Sequence, residues 1–144
     1  MNTYRFEEIK AGMTEQFTVE LTEESQKCFA ELSGDHNPLH LDRDFAVQRG
    51  FNGPVAYGML AASYYSTLAG VYLPGENCLL NECRITWQKP VYLGDTLVVE
   101  GTVSDIREAT RRIKINGTMT NQHGEIVNQA VITVSFTQEN GSKG

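Results

Sequence analysis

The sequence predicts an α+β domain in which five antiparallel strands curl around one long apolar helix. Three observations predict it. Residues 55–70 contain no charged side chain, and a helix apolar on nearly every side is one that the rest of a protein surrounds. After residue 78, four segments alternate apolar and polar residues between short turn signals. One further alternating segment, Phe17-Thr-Val-Glu-Leu21, lies ahead of the helix.

Taken in order, residues 17–21 read as a half-buried strand. Thr22 supplies a helix N-cap and Glu23 and Glu24 its first-turn acids, so a helix is expected over about 23–33, ended by Gly34. From Asp35 to Gly53 the pattern is irregular. Pro38 biases Asn37 to an extended backbone and blocks a continuous helix, leaving one short helix over Asp42–Gln48 that Gly50 ends. Pro54 fits the first position of the apolar helix, which runs to about Ala69 or Val71. Its Gly, Ala and Ser residues allow another backbone to approach closely. Strands are expected at about 78–88, 95–105, 110–121 and 125–138, with turns at Leu93-Gly94-Asp95 and Asn121-Gln122-His123-Gly124. Short connections favour a meander. Five strands protect so apolar a helix poorly, so a second subunit is expected to complete its burial.

The chain of 144 residues fits one domain over residues 1–138, with 139–144 expected to be a disordered tail. No apolar run has the length of a membrane span or a signal peptide, so a cytoplasmic protein with no membrane partner is expected. The net charge of −6 argues against nucleic acid, which needs a basic face. A phosphorylated small molecule needs only a few local cations, for which Arg43, Arg49, Lys89, Arg111, Arg112 and Lys114 are available. Cys28, Cys78 and Cys83 form no CxxC pair and are expected to be small buried hydrophobes.

The informative stretch is Phe29-Ala-Glu-Leu-Ser-Gly-Asp-His-Asn-Pro-Leu-His-Leu-Asp-Arg-Asp-Phe-Ala46. It resembles the signature of the MaoC-like hydratases, (R)-specific enoyl-CoA hydratases of the hotdog fold, matching at Ser33, Gly34, Asp35, Asn37, Pro38, Leu39, His40 and Ala46. The resemblance continues through Gly50-Phe51, Pro54 and Gly58-Met59-Leu60, and more loosely through Lys89–Asp95. It implies a hotdog domain that dimerises into a larger sheet. It also implies hydration of a 2-enoyl thioester, or the reverse dehydration of a 3-hydroxyacyl thioester, with no cofactor. The carrier is coenzyme A or an acyl carrier protein.

The chemistry explains the residue types. Hydration needs a base for water and an acid for the α-carbon, tasks that a carboxylate and an imidazole perform near neutral pH. Five residues apart in a proline-broken turn, Asp35 and His40 are placed to converge on one water. The developing enolate needs N–H donors, which the first turn of the apolar helix presents; the resemblance puts Gly58 there. Ser63, Ser66 and Ala69, further along that helix, are candidates to line the acyl tunnel. Many relatives carry His before the Gly-Met pair, where this chain has Tyr57; tyrosine retains a donor but is larger and uncharged at pH 7.

Each position has a plainer reading. Asp35 alone reads as a turn former, and His40 alone as a buried structural histidine. Asn37 reads as a turn organiser more than a catalyst. His36 is expected to be exposed, His123 to sit in a hairpin turn, and Tyr57, Tyr64, Tyr65 and Tyr72 to be core. Asp35, His36, His40 and Asp42 resemble a metal site only in composition, since the signature accounts for Asp35 and His40 without metal. Two other functions fit the fold: thioester hydrolysis, which releases thiol, and a non-catalytic acyl-thioester-binding subunit.

Overall fold

The computed structural model describes residues 1–137. The expected tail, and the last residue of the expected domain, lie outside that range. Strand β1 (Thr14–Glu20) leads through the buried Leu21 into α1 (Glu23–Ser33). The Thr22 hydroxyl accepts from the Ser25 N–H at the start of α1, and Gly34, left-handed at φ 75°, closes it. The helix therefore has the expected bounds.

The irregular stretch resolves into two short helices, α2 (Pro38–Leu41) and α3 (Arg43–Gln48). Each is started by a side chain: Asn37 Oδ1 accepts from Leu39 N–H at 3.0 Å, and Asp42 Oδ1 from Phe45 N–H at 3.1 Å. Pro38 stands first in α2, where its missing N–H costs nothing.

The apolar helix α4 spans Gly58–Thr67 and continues as a π turn over Leu68–Tyr72. It does not begin at Pro54. Val55 N–H bonds Leu39 O at 3.1 Å, Ala56 N–H bonds Val91 O at 2.7 Å, and Val55 bridges to Tyr92. These tertiary hydrogen bonds hold residues 55–56 extended and delay the helix to Gly58, overriding the local preference of Pro54.

Four strands follow: β2 (Cys78–Trp87), β3 (Thr96–Arg107), β4 (Arg112–Thr120) and β5 (Ile126–Phe136). With β1 they form one antiparallel sheet in the order β1-β3-β4-β5-β2. Only β3, β4 and β5 form the expected meander. β2 lies at the far edge against β5, because the chain after it does not turn back. Gln88 and Lys89 N–H bond Val127 O at 2.8 and 3.1 Å, and residues 91–92 then bond 55–56 before β3 begins.

The core lies between the inner sheet face, including Val99, Ile115, Met119 and Ile132, and Leu60, Tyr65 and Leu68 of the helix and its π turn. The close approach comes from glycines in the strands. A Cβ on Gly117 would lie 2.6 Å from the Tyr65 ring, and one on Gly101 2.7 Å from Leu68. Tyr65 and Tyr57 are buried, while Tyr64 and Tyr72 are half-buried.

The cysteines depart from expectation. Cys28 and Cys83 are exposed and Cys78 is half-buried. Cys28 lies about 200° around α1 from the buried Gln26, and Cys83 is on the edge strand. Burial pushes the Cys78 thiol up to about 11.

Candidate active site

Asp35 and His40 line one cavity of about 380 Å³, walled also by Phe29, Tyr57, Gly58 and Trp87. A second chamber of about 290 Å³ shares His40, Tyr57, Gly58 and Trp87 and extends to Ala61 and Lys89. His40 and the start of α4 are thus common to both chambers.

The imidazole is held in one orientation and, when neutral, in one tautomer. Its Nδ1 lies 2.6 Å from Val55 O; a carbonyl only accepts, so Nδ1 carries the proton and Nε2 is left as the basic nitrogen. The ring stacks on Tyr57 with centroids 4.1 Å apart and planes at 30°. Tyr57 in turn packs on Phe29 at 4.8 Å. The Tyr57 hydroxyl donates to the backbone carbonyl of Asp35, so this one side chain touches both residues. Burial, and secondarily the charge of Asp35, push its phenol above the ordinary value, so it remains a donor at neutral pH.

Asp35 Oδ1 accepts the Asn37 N–H at 3.0 Å, and the Asp35 N–H is held by Ser33 Oγ at 3.2 Å. The turn-forming geometry and a place in the cavity therefore coexist in one carboxylate. At the start of α4 the first intrahelical bond runs from Ala61 N–H to Tyr57 O at 3.1 Å. The amides of Gly58, Met59 and Leu60 precede that ladder, and Tyr57 offers no side-chain cap. Trp87 spans this helix start: its indole N–H donates to Gly58 O at 3.0 Å.

The remaining expected residues are dispersed. Asn37 is exposed and spends its side chain on α2. Ser63 and Ser66 face outward from α4, with the Ser63 hydroxyl bonding back to Leu60 O at 2.6 Å, while Ala69 is buried. His36 is exposed and His123 lies in the β4–β5 turn. Among the cations, Lys89 pairs with Glu125 at the edge of the second chamber, and that pairing chiefly holds the Glu125 carboxyl below its ordinary value. Arg111 is engaged by Glu7 at 2.7 Å. Arg43 lines a separate depression beside Pro54 and Tyr92.

Sequence reasoning missed Trp87 and Gln26. Trp87 is the only tryptophan, but it lies at the end of a strand with no motif around it. Gln26 carries a readable signal, an amide on the apolar stripe of α1 beside Phe29 and Ala30.

A five-stranded antiparallel sheet wrapped around one helix, with its cavity at the helix start, defines a hotdog-fold domain. Comparison with known proteins agrees. A MaoC like domain model matches residues 5–127. The (R)-specific enoyl-CoA hydratase of Rhodospirillum rubrum is 31% identical over 129 residues, covering 90% of this chain and 89% of that protein. The 3-hydroxybutyryl-CoA dehydratase of Methylorubrum extorquens is 31% identical over 76% of this chain and 70% of its own. In structure, the (R)-hydratase from A. caviae superposes with a TM-score of 0.85 at 30% identity, over 88% of this chain and 96% of that one. The chain belongs to the MaoC-like family.

Proposed function

We propose that the protein is a hydro-lyase that adds water to a 2-enoyl thioester with (R) specificity, and runs the reverse dehydration of a 3-hydroxyacyl thioester. The observation that carries this reading is the shared cavity of Asp35 and His40 at the open amides of α4. Asp35 and His40 hold a water between them. His40 Nε2 takes one of its protons while the water oxygen bonds to the β-carbon. The electron pair of the double bond moves toward the thioester oxygen, where the amides at Gly58 receive the negative charge; such a donor is typically worth about 3–4 kcal/mol. The proton held on His40 then passes to the α-carbon, so H and OH are added and nothing is oxidised or reduced. Lys89, paired with Glu125 at the edge of the second chamber, would exchange that partner for a phosphate of coenzyme A or an acid of an acyl carrier protein.

Crotonyl-CoA tests the reaction. Loss of enoyl absorbance without release of thiol is expected; free thiol would mean hydrolysis instead. Asp35→Asn and His40→Ala are each expected to lower the rate at least about a hundredfold, the lower end for a working acid–base group, with the fold retained. Near-normal rates in either variant would overturn the assignment.

The same reading includes a homodimer built through β2. This ten-residue strand pairs with β5 on one side only, and Leu79 and Leu80 are 54% and 47% exposed. A long apolar edge is normally covered, and a second copy of β2 across a two-fold axis would extend the sheet. It would also cover the outward face of α4, where Met59 is 60% exposed and Ser63 and Ser66 lie. Sizing is expected to give a dimer or a multiple of one, and Leu80→Lys to shift it toward monomer. A wild-type monomer at micromolar concentration would refute this.

A further inference from the structure

Gln26 is 1% exposed, on the buried stripe of α1. Its carboxamide makes three hydrogen bonds to backbone. Nε2 donates to the carbonyls of His40 at 3.0 Å and Val55 at 2.9 Å, and Oε1 accepts from the Tyr57 N–H at 3.2 Å. A buried glutamine that merely satisfies loop backbone is common. These three partners, however, all bear on one imidazole. The first is the peptide of His40 itself. The second is the carbonyl that receives His40 Nδ1–H. The third is the residue on which the His40 ring stacks and which immediately precedes α4.

One amide thereby joins α2, the extended 55–57 segment and the start of α4, which otherwise meet near His40 through few direct bonds. Both protons on Nε2 are used, one on each carbonyl, so the amide cannot turn over without setting its oxygen against two others. The Val55 carbonyl is held at the position where it fixes the ring tautomer. An apolar side chain would fill the same space and leave that carbonyl free to shift.

We infer that Gln26 is a positioning residue for the proposed hydration: it fixes His40 in the Nδ1–H tautomer and holds Nε2 toward the cavity. The inference rests on the reading of His40 as the base. Its structural content is measurable apart from activity.

The experiment combines imidazole ¹⁵N NMR with crotonyl-CoA kinetics on the full chain. Wild-type His40 is expected to show a single neutral tautomer with Nδ1 protonated. Gln26→Leu is expected to give a mixture of tautomers and to lower kcat about 10- to 100-fold, the range for groups that orient a catalytic residue, with KM changed less than about threefold. Should Gln26→Leu not fold, Gln26→Glu carries the test. As the neutral acid it keeps one donor and one acceptor, whereas its carboxylate would face two carbonyl oxygens. Gln26→Glu is therefore expected to lose the single tautomer and the rate together as pH rises, a basic limb that wild type lacks. Asn128→Leu removes another fully buried amide, between Tyr65 and Met119, and is expected to cost stability while leaving the His40 tautomer unchanged. An unaltered tautomer and pH profile in folded Gln26 variants would overturn the inference. A shifted tautomer with an unaltered rate would uphold the positioning and overturn His40 as the base.

Discussion

Tyr57 separates the two ways in which a single residue can support the site. Its ring stacks on His40 while its hydroxyl holds the Asp35 carbonyl, so Tyr57→Phe removes the second contact and keeps the first. Such a hydrogen bond contributes about 0.5–1.5 kcal/mol net, and kcat is expected to fall about three- to tenfold on that basis. The His40 tautomer, set by the Val55 carbonyl, should stay as in wild type. A loss as large as that of Asp35→Asn would mean that the hydroxyl acts on substrate directly. At this scale the sequence shows the reactive groups and hides their supports. Asp35 and His40 stand in a dense local motif whose spacing reflects one turn. Gln26 and Trp87 reach the site from α1 and β2, 14 and 47 residues away from His40 in the chain. Their roles arise only from long-range packing, which local pattern does not encode.

The elements meet where the helix is pressed onto the sheet, and glycine makes that approach possible. Gly117 lies beneath the Tyr65 ring, which is buried and tied to Asn128, so the ring has no room to withdraw. Gly117→Ala is expected to destabilise the fold by about 1–3 kcal/mol, the usual cost of overpacking, read as a lower midpoint in urea. An unchanged midpoint would show that α4 can move off the sheet. The elements themselves were legible where local chemistry sets their ends. Thr22 and Gly34 bound α1, and Gly124, at φ 76°, permits the β4–β5 turn. Legibility failed where tertiary hydrogen bonds set the ends. Pro54 looks like a helix start, yet Leu39 and Val91 hold the next two residues extended. The placement of β2 beside β5 depends likewise on Val127 and the 55–56 segment, none of which is adjacent to β2 in the chain.

Over the whole molecule, buried and half-buried weak acids make stability depend on alkaline pH. Burial raises the phenols of Tyr65, Tyr64 and Tyr57 above their ordinary 10.0, with Cys83 adding to the effect on Tyr65 and Asp35 to that on Tyr57. Burial also takes the Cys78 thiol from 9.0 to about 11. In each case the folded chain keeps a proton that the unfolded chain gives up. Between the two pKa values the unfolded state therefore binds fewer protons, and stability falls as pH rises. The contribution is complete below pH 9, begins to disappear through Cys78 between 9 and about 11, and is joined by the tyrosines above 10.0. Melting temperature is expected to be flat with respect to these groups from pH 7.5 to 8.5 and to fall steadily from pH 9 to 11. Cys78→Ala is expected to lower the plateau slightly and to delay the fall by removing its first component. Tyr65→Phe is expected to lower the plateau more, because it abandons Asn128, and to make the slope above pH 10 shallower. A slope unchanged in both variants would overturn the part given to Cys78 and Tyr65 and point to surface charge. In that case 0.5 M salt should shift it, whereas titration of these buried groups is expected to respond little to salt.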